Sequence, residues 1–138
     1  MSKLKIAVAG ASGRMGQTLI EAVLSQPDLC ELAGAIDQTN SPCLGQDAGL
    51  FIGKQTGIII DSDSEKAISQ ADILIDFTLP QGTLTHIPLC VKHNTSMVIG
   101  TTGFDDAGKT AIHNASEQIG IVFAANFSVG VNLSLVLL

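Results

Sequence analysis

The sequence has no tryptophan and no tyrosine, and charged residues make up only 14% of its 138 positions. Lysine and arginine are the scarcer charges, seven against 13 aspartates and glutamates, so the formal net charge is -6. A chain of this sign repels a polyanion and carries no basic stripe, which argues against a nucleic-acid partner. A run of roughly 20 apolar residues is also missing, so we expect no membrane partner and a cytoplasmic location.

Cysteine is scarce as well, with Cys30, Cys43 and Cys90 far apart and no C-x-x-C pair. That pattern suggests neither a disulfide framework nor a zinc site, and we expect reduced thiols. His86 and Cys90 could share a metal across one helical turn, but two ligands without a third do not make a site. We therefore predict no metal.

Hydrophobic residues make up 46% of the chain, which also contains 14 glycines. This balance suits buried parallel strands joined by tight glycine turns, and the length suits one domain. The predicted strands are "KIAVAG", "ELAGAID", "GIIID", "ILIDFT", "SMVIGTT" and "IGIVFAAN". The predicted helices are "RMGQTLIEAVLSQ", "SEKAISQA", "QGTLTHIPLCVKH" and "DDAGKTAIHNASEQ". Strands that alternate with helices predict an α/β fold, a doubly wound parallel sheet of the Rossmann dinucleotide-binding type.

Two segments depart from this regular pattern. Residues 38–57, "QTNSPCLGQDAGLFIGKQTG", are rich in turn residues and predict a mobile surface loop. Pro88 lies inside a predicted helix, where it should kink the helix or delay its start.

The segment "GASGRMG" places Gly10, Gly13 and Gly16 between the first strand and the first helix. Backbone N–H groups are unpaired at a helix N-terminus, where glycine lets a pyrophosphate approach. The spacing is G-x-x-G-x-x-G, with Ser12 in place of the second glycine of the dinucleotide fingerprint. The competing interpretation is a glycine turn that binds no ligand. The order of strand, glycine turn, helix, strand and acid argues against it.

Asp37 stands roughly 20 residues after this turn, at the end of the predicted second strand. A carboxylate there can bind the adenosine ribose hydroxyls, and it would repel a 2'-phosphate. The neighbouring Gln38 cannot supply a compensating positive charge, although Arg14 could. We therefore expect NADH to be accepted and leave NADPH open.

Two further segments, "GTTG" at 100–103 and "AANF" at 124–127, follow predicted strands. In open α/β sheets ligands bind at this carboxyl edge, although ordinary loop chemistry would explain the residues equally well.

The four segments "VAGASGRMGQ", "IDFTLPQGTLTH", "MVIGTTGFDDAGK" and "IVFAANFSVGVN" together resemble the dihydrodipicolinate (4-hydroxy-tetrahydrodipicolinate) reductases, which use a nicotinamide cofactor in bacterial lysine and diaminopimelate synthesis. The resemblance implies NAD(P)H as cofactor. It also implies a set of cofactor-binding residues, which are Gly10, Ala11, Ser12, Gly13, Arg14, Met15, Asp37, Gly100, Thr101, Thr102, Ala124, Ala125, Asn126 and Phe127. Some members of that family have Arg directly after the strand-end acid, where this sequence has Gln38.

The resemblance further implies a second domain that binds a cyclic dicarboxylate, and a homotetramer in the complete protein. We expect a dinucleotide-binding domain at 1–126 and the start of a connection to that second domain at 127–138. The apolar end at Leu138 then resembles an interruption inside a connecting helix. We expect no catalytic residue in this chain, which is then inactive alone, because His86, His93 and His113 fall within predicted helices as surface or packing residues.

Two other functions fit the residues less well. One is a nicotinamide-dinucleotide-binding module or sensor without chemistry, which the missing cationic pocket would favour. The other is a sugar or semialdehyde dehydrogenase with the same first half, against which "GTTGF" and "NFSVGV" argue by resemblance.

Overall fold

The computed structural model describes residues 3–123, and in that range six β-strands alternate with four α-helices. The strands are Leu4–Ala9 (β1), Cys30–Ile36 (β2), Ile60–Asp61 (β3), Ile73–Asp76 (β4), Ser96–Ile99 (β5) and Ile121–Phe123 (β6). The helices are Arg14–Leu24 (α1), Ser64–Ser69 (α2), Pro80–His93 (α3) and Asp106–Ser116 (α4).

All six strands belong to one parallel sheet, in the order β3-β2-β1-β4-β5-β6. The predicted doubly wound sheet is therefore confirmed. From β1 the chain first builds toward β3 and then crosses back to β4, so the strand order reverses between β1 and β4. In this fold class a ligand crevice opens at such a reversal, outside the carboxyl ends of the strands. Ala9 lies opposite both Ile36 and Asp76 in that row of strand ends.

Each face of the sheet has its own apolar core. On one face, Leu19, Ile20 and Val23 of α1 pack on Ile6 and Val8 of β1. The opposite face is covered by α2, α3 and α4, which contribute Ile68, Ile87, Cys90, Ile112 and Ala115. Such two-sided burial explains the almost continuous apolar strands of the sequence.

The connection from β2 to β3 contains no α-helix, although it covers the same face as α1. Within the predicted loop 38–57 a 3-10 turn forms at Leu50–Ile52, and Asp47 makes an isolated antiparallel bridge with Ile59. Ala48 is 2% exposed and belongs to the core that α1 covers. The segment predicted as an irregular surface loop therefore replaces a helix as a packed layer.

Two predicted boundaries change for local reasons. Thr78, predicted at the end of a strand, lies beyond β4 because its N–H turns back to Oδ1 of Asp76 at 3.1 Å. α3 begins at Pro80, so its start is not delayed, and it continues through Pro88 to His93. Pro80 fits the first turn, where no N–H is required, and Pro88, which has no N–H to donate to the preceding turn, is exposed.

Candidate functional site

The glycine turn after β1 is held close to the sheet. The N–H groups of Gly10 and Ala11 both donate to the carbonyl of Ile36, at 2.9 and 3.0 Å. Gly10 has a φ of +79°, which favours glycine. A Cβ on Gly16 would lie 2.0 Å from the Gly10 carbonyl oxygen, so α1 can start this close to the turn only with glycine there.

The N-terminus of α1 faces this turn without a side-chain cap. Gly13 is the N-cap residue and has extended backbone angles, φ -74° and ψ 166°. The N–H groups of the first helical turn have no intrahelical partner, and the helix dipole adds partial positive charge at the same place. Backbone donors, space and positive potential suit an anion such as a pyrophosphate.

Asp37 lies directly after β2 and is bonded to the glycine turn. Three donors converge on its Oδ2, the Ser12 N–H at 3.1 Å, the Ser12 hydroxyl, and the Ser41 hydroxyl at 3.2 Å, so that oxygen has no acceptor capacity left. Its Oδ1 accepts the Gln38 N–H at 2.9 Å. Since a carboxylate oxygen has two lone pairs, Oδ1 can still accept a ribose hydroxyl. Ser12, which replaces a glycine of the fingerprint, thus connects the turn to the acid.

An open groove of about 490 Å³ runs along these residues. A neighbouring lobe of about 280 Å³ shares Gly10, Asp37, Thr78 and Leu79 with the groove. The chain's seven cations all lie within the described residues 3–123, and Arg14 is the one that lines the groove. The structure therefore places the glycine turn, Arg14, Met15 and Asp37 around one groove.

The segment after β5 joins this site through a loop contact. The N–H of Thr78, which lines both lobes, donates to Oγ1 of Thr101 at 3.0 Å. Gly100 lies under Phe77, whose ring atom Cε2 would be 2.1 Å from a Cβ at position 100. Thr101 is 2% exposed, so its hydroxyl is directed inward, whereas Thr102 is exposed. The predicted residues Ala124, Ala125, Asn126 and Phe127 lie outside the described residues.

Sequence reasoning missed a buried polar cluster beneath the groove. Asp76 is fully buried, and its Oδ2 lies 2.7 Å from Nδ1 of His86, which is 6% exposed. The apolar run "ILID" ends in an acid at the carboxyl edge, which is the same signal that pointed to Asp37 in "GAID".

The three histidines differ in environment. His93 bonds Glu65 at 2.9 Å, and His113 is exposed. His86 is instead part of the buried polar cluster. Burial, and after it the charge of Asp76, raises the pKa of the nearby Cys90 thiol to about 12, so this cysteine stays protonated at neutral pH.

The glycine turn, the strand-end acid and the reversal of strand order are shared by many dinucleotide-binding proteins, so comparison with known families decides among them. A family described as the N-terminus of dihydrodipicolinate reductase matches residues 4–127. The chain belongs to this family. The 4-hydroxy-tetrahydrodipicolinate reductase of Paraburkholderia phymatum is 59% identical over 135 residues, which are 98% of this chain and 51% of the relative. That of Neisseria meningitidis serogroup C is 58% identical over 134 residues, 97% of this chain and 49% of the relative.

Solved structures agree with the assignment to the dihydrodipicolinate reductase family. A dipicolinate-bound dihydrodipicolinate reductase from Paenisporosarcina sp. TG-14 superimposes with a TM-score of 0.73 at 27% identity, covering 96% of this chain and 51% of that one. A biliverdin reductase from Synechocystis, at 13% identity and a TM-score of 0.70, covers 88% of this chain and 38% of its own length and shows the shared fold alone. The chain thus spans about half the length of the curated reductases it matches. Among residues 3–123, no helix is long and apolar enough to cross a membrane.

Proposed function

We propose that this chain is the dinucleotide-binding part of an NAD(P)H-dependent 4-hydroxy-tetrahydrodipicolinate reductase of lysine and diaminopimelate synthesis. The observation that carries the proposal is the uncapped N-terminus of α1, which faces a glycine turn at the reversal of strand order, with Asp37 across the groove. The relatives named 4-hydroxy-tetrahydrodipicolinate reductase match almost the whole of this chain, which supports the proposed reaction.

Each part of the groove has a distinct task in this proposal. Gly10, Ala11, Ser12, Gly13, Arg14 and Met15 hold the pyrophosphate through backbone donors and one guanidinium. Asp37 accepts a ribose hydroxyl through Oδ1. Gly100, Thr101 and Thr102, with Ala124, Ala125, Asn126 and Phe127, flank the nicotinamide ring. When bound, the reduced nicotinamide supplies the hydride that reduces the unsaturated ring of the substrate.

The substrate side of the reaction requires groups that this chain does not provide. A cyclic dicarboxylate needs several cations, and Arg14 is already opposite the pyrophosphate. His86 lines the smaller lobe, but its Nδ1 is bonded to the buried Asp76 and its Nε2 lies 3.4 Å from the Ser64 hydroxyl, so both ring nitrogens already have a partner in the protein. We therefore propose that substrate binding and protonation belong to the rest of a longer cytoplasmic protein. The family resemblance implies that the complete protein is a homotetramer.

Activity assays on the 138-residue chain and on the full-length natural protein test this division. We expect the chain to bind NADH but to show no measurable turnover of 4-hydroxy-tetrahydrodipicolinate, while the full-length protein oxidises NADH with it. Turnover by the chain at the full-length rate would contradict the division. A full-length protein that binds NADH but reduces nothing would instead favour a binding module.

Cofactor choice is tested at Gln38, which is exposed and lines both lobes of the groove. We expect the unchanged chain to bind NADH at least as tightly as NADPH, because Asp37 repels a 2'-phosphate. Gln38→Arg should tighten NADPH binding about tenfold, since a charge-assisted hydrogen bond contributes about 1.5–3 kcal/mol. Gln46→Arg adds the same charge at an exposed position outside the groove and is the matched control. Equal NADPH affinities in the two variants would contradict a position of residue 38 beside the 2'-phosphate.

A further inference from the structure

The buried cluster around Asp76 lies under the ligand crevice. Asp76 is the last residue of β4 and stands opposite Ala9 of β1 on one side and Ile99 of β5 on the other. It therefore occupies the row of carboxyl strand ends, next to the reversal of strand order. Asp76 is fully buried, so its carboxylate is not one of the proposed contacts to the dinucleotide.

The two oxygens of Asp76 bind two segments that line the crevice. Oδ1 accepts from Thr78, the N–H at 3.1 Å and the hydroxyl at 2.6 Å. Oδ2 accepts from Nδ1 of His86 on α3, at 2.7 Å. Because a carboxylate only accepts, Nδ1 carries the proton and the ring is fixed in one orientation. Thr78 and His86 both line the smaller lobe, so their positions help to determine its shape.

A third segment joins the cluster through Thr101. Its Oγ1 accepts the Thr78 N–H at 3.0 Å and the Thr83 hydroxyl at 2.8 Å, and it donates to the Asp76 carbonyl at 3.2 Å. One hydrogen and two lone pairs are the full capacity of a hydroxyl. Thr101 is therefore fully occupied within the protein, and it fixes the segment after β5 to the loop after β4.

Stability alone does not explain such a cluster. Burying a carboxylate and a histidine costs free energy, and apolar residues of similar volume often replace buried charged pairs without loss of stability. A fully bonded buried network does, however, select a single arrangement of the segments that it joins. Here these segments are the two loops and the helix around the crevice. Thr95, at the opposite end of β5, makes simpler bonds, to the carbonyls of Ile68 and Ala71.

We propose that this buried cluster, in which the Asp76 carboxylate holds Thr78 and His86 and Thr101 joins Thr78 to Thr83, has a positioning role: it keeps the crevice in its binding shape before the dinucleotide arrives. This inference rests on the proposed function. Thr83 offers the sharpest test, because it is fully buried in α3 and does not line the groove. Thr83→Val keeps the shape of the side chain and removes the donor to Thr101. Thr83→Ser keeps the donor and removes a methyl group.

The experiment measures the dissociation constant for NADH, well below the melting temperature of each variant. We expect Thr83→Val to bind about fivefold more weakly, which corresponds to one net hydrogen bond. Thr83→Ser should bind within about twofold of the unchanged chain although it loses stability through the cavity it creates. Thr95→Val, a buried threonine change at the other end of β5, should lose stability and keep its affinity.

The outcomes separate the inference from the proposed function. If the unchanged chain binds and Thr83→Val binds equally well, or if Thr83→Ser loses as much affinity as Thr83→Val, the positioning role of the cluster is wrong. If the unchanged chain does not bind NADH, the proposed function is contradicted and the inference with it.

Discussion

Gly16 lies where α1 passes closest to the glycine turn, and its lack of a side chain permits that approach. A Cβ would meet the carbonyl oxygen and carbon of Gly10 at 2.0 and 2.7 Å, and backbone atoms cannot move aside as a flexible side chain can. We predict that Gly16→Ala lowers the free energy of unfolding by about 1–3 kcal/mol, as overpacking does, and weakens NADH binding.

Urea unfolding checks the stability part of this prediction. Gly120→Ala is the control, because its Cβ would meet only side-chain atoms, with Ser96 Oγ at 3.2 Å. Equal stability of the two variants would mean that the turn can move away from α1.

At the scale of single residues, the sequence predicts what depends on neighbours along the chain. Gly10, Gly13 and Gly16 could be identified because all three fall within seven residues, between a predicted strand and a predicted helix. Asp37 could be identified because it is the acid at the end of the predicted second strand, where the dinucleotide fold has one. The buried cluster around Asp76 could not, since Thr83 and Thr101 are 18 residues apart and meet only when α3 packs beside β5.

The segment between β2 and β3 is held together by Asp47. Its carboxylate accepts the N–H groups of Gly49 at 2.8 Å and Gly57 at 2.9 Å, and both the N–H and the hydroxyl of Thr56. Backbone hydrogen bonds from Gly49 and then Thr56 lower the pKa of Asp47 from its ordinary value of 3.8 to about 2. One side chain thus closes a loop that covers part of the core.

We predict that Asp47→Asn speeds proteolysis within 38–57 at neutral pH, because an amide has one accepting oxygen in place of two. Since the pKa is lower in the folded state, the carboxylate stabilises the loop above about pH 4. This contribution disappears as the pH falls from about 4 toward 2. Asp28→Asn, at an exposed position outside the loop, is the control. Equal cleavage of both variants would show that Asp47 does not hold the loop.

At the scale of elements, periodicity predicts most helices and strands because each follows a local pattern. The sequence predicts only a mobile surface loop at 38–57, because the order of this segment comes from Asp47 and from Ala48 in the core rather than from a repeating pattern. Strand ends at Asp76 and Ile99 could not be located from apolar runs, because the following residues turn toward the polar cluster.

At the scale of the whole molecule, the described residues form a dinucleotide-binding fold with one groove at the reversal of strand order. Alternating strands and helices predict this fold because parallel pairing requires crossovers. The chain spans about half of the reductases it matches. The proposed substrate site requires groups that this chain does not provide, so no pattern in its sequence can locate that site.

The measurement that tests the central claim most directly is a titration of the chain with NADH, followed by nicotinamide fluorescence, which no tryptophan obscures. Gly13 is exposed, and its backbone angles suit other residues. Gly13→Asp and Gly13→Asn are both good helix caps of equal size, and only Asp repels a pyrophosphate. We predict saturable binding by the unchanged chain and at least about tenfold weaker binding by Gly13→Asp than by Gly13→Asn. No saturable binding, or equal affinities of the two variants, would contradict a pyrophosphate site at the N-terminus of α1.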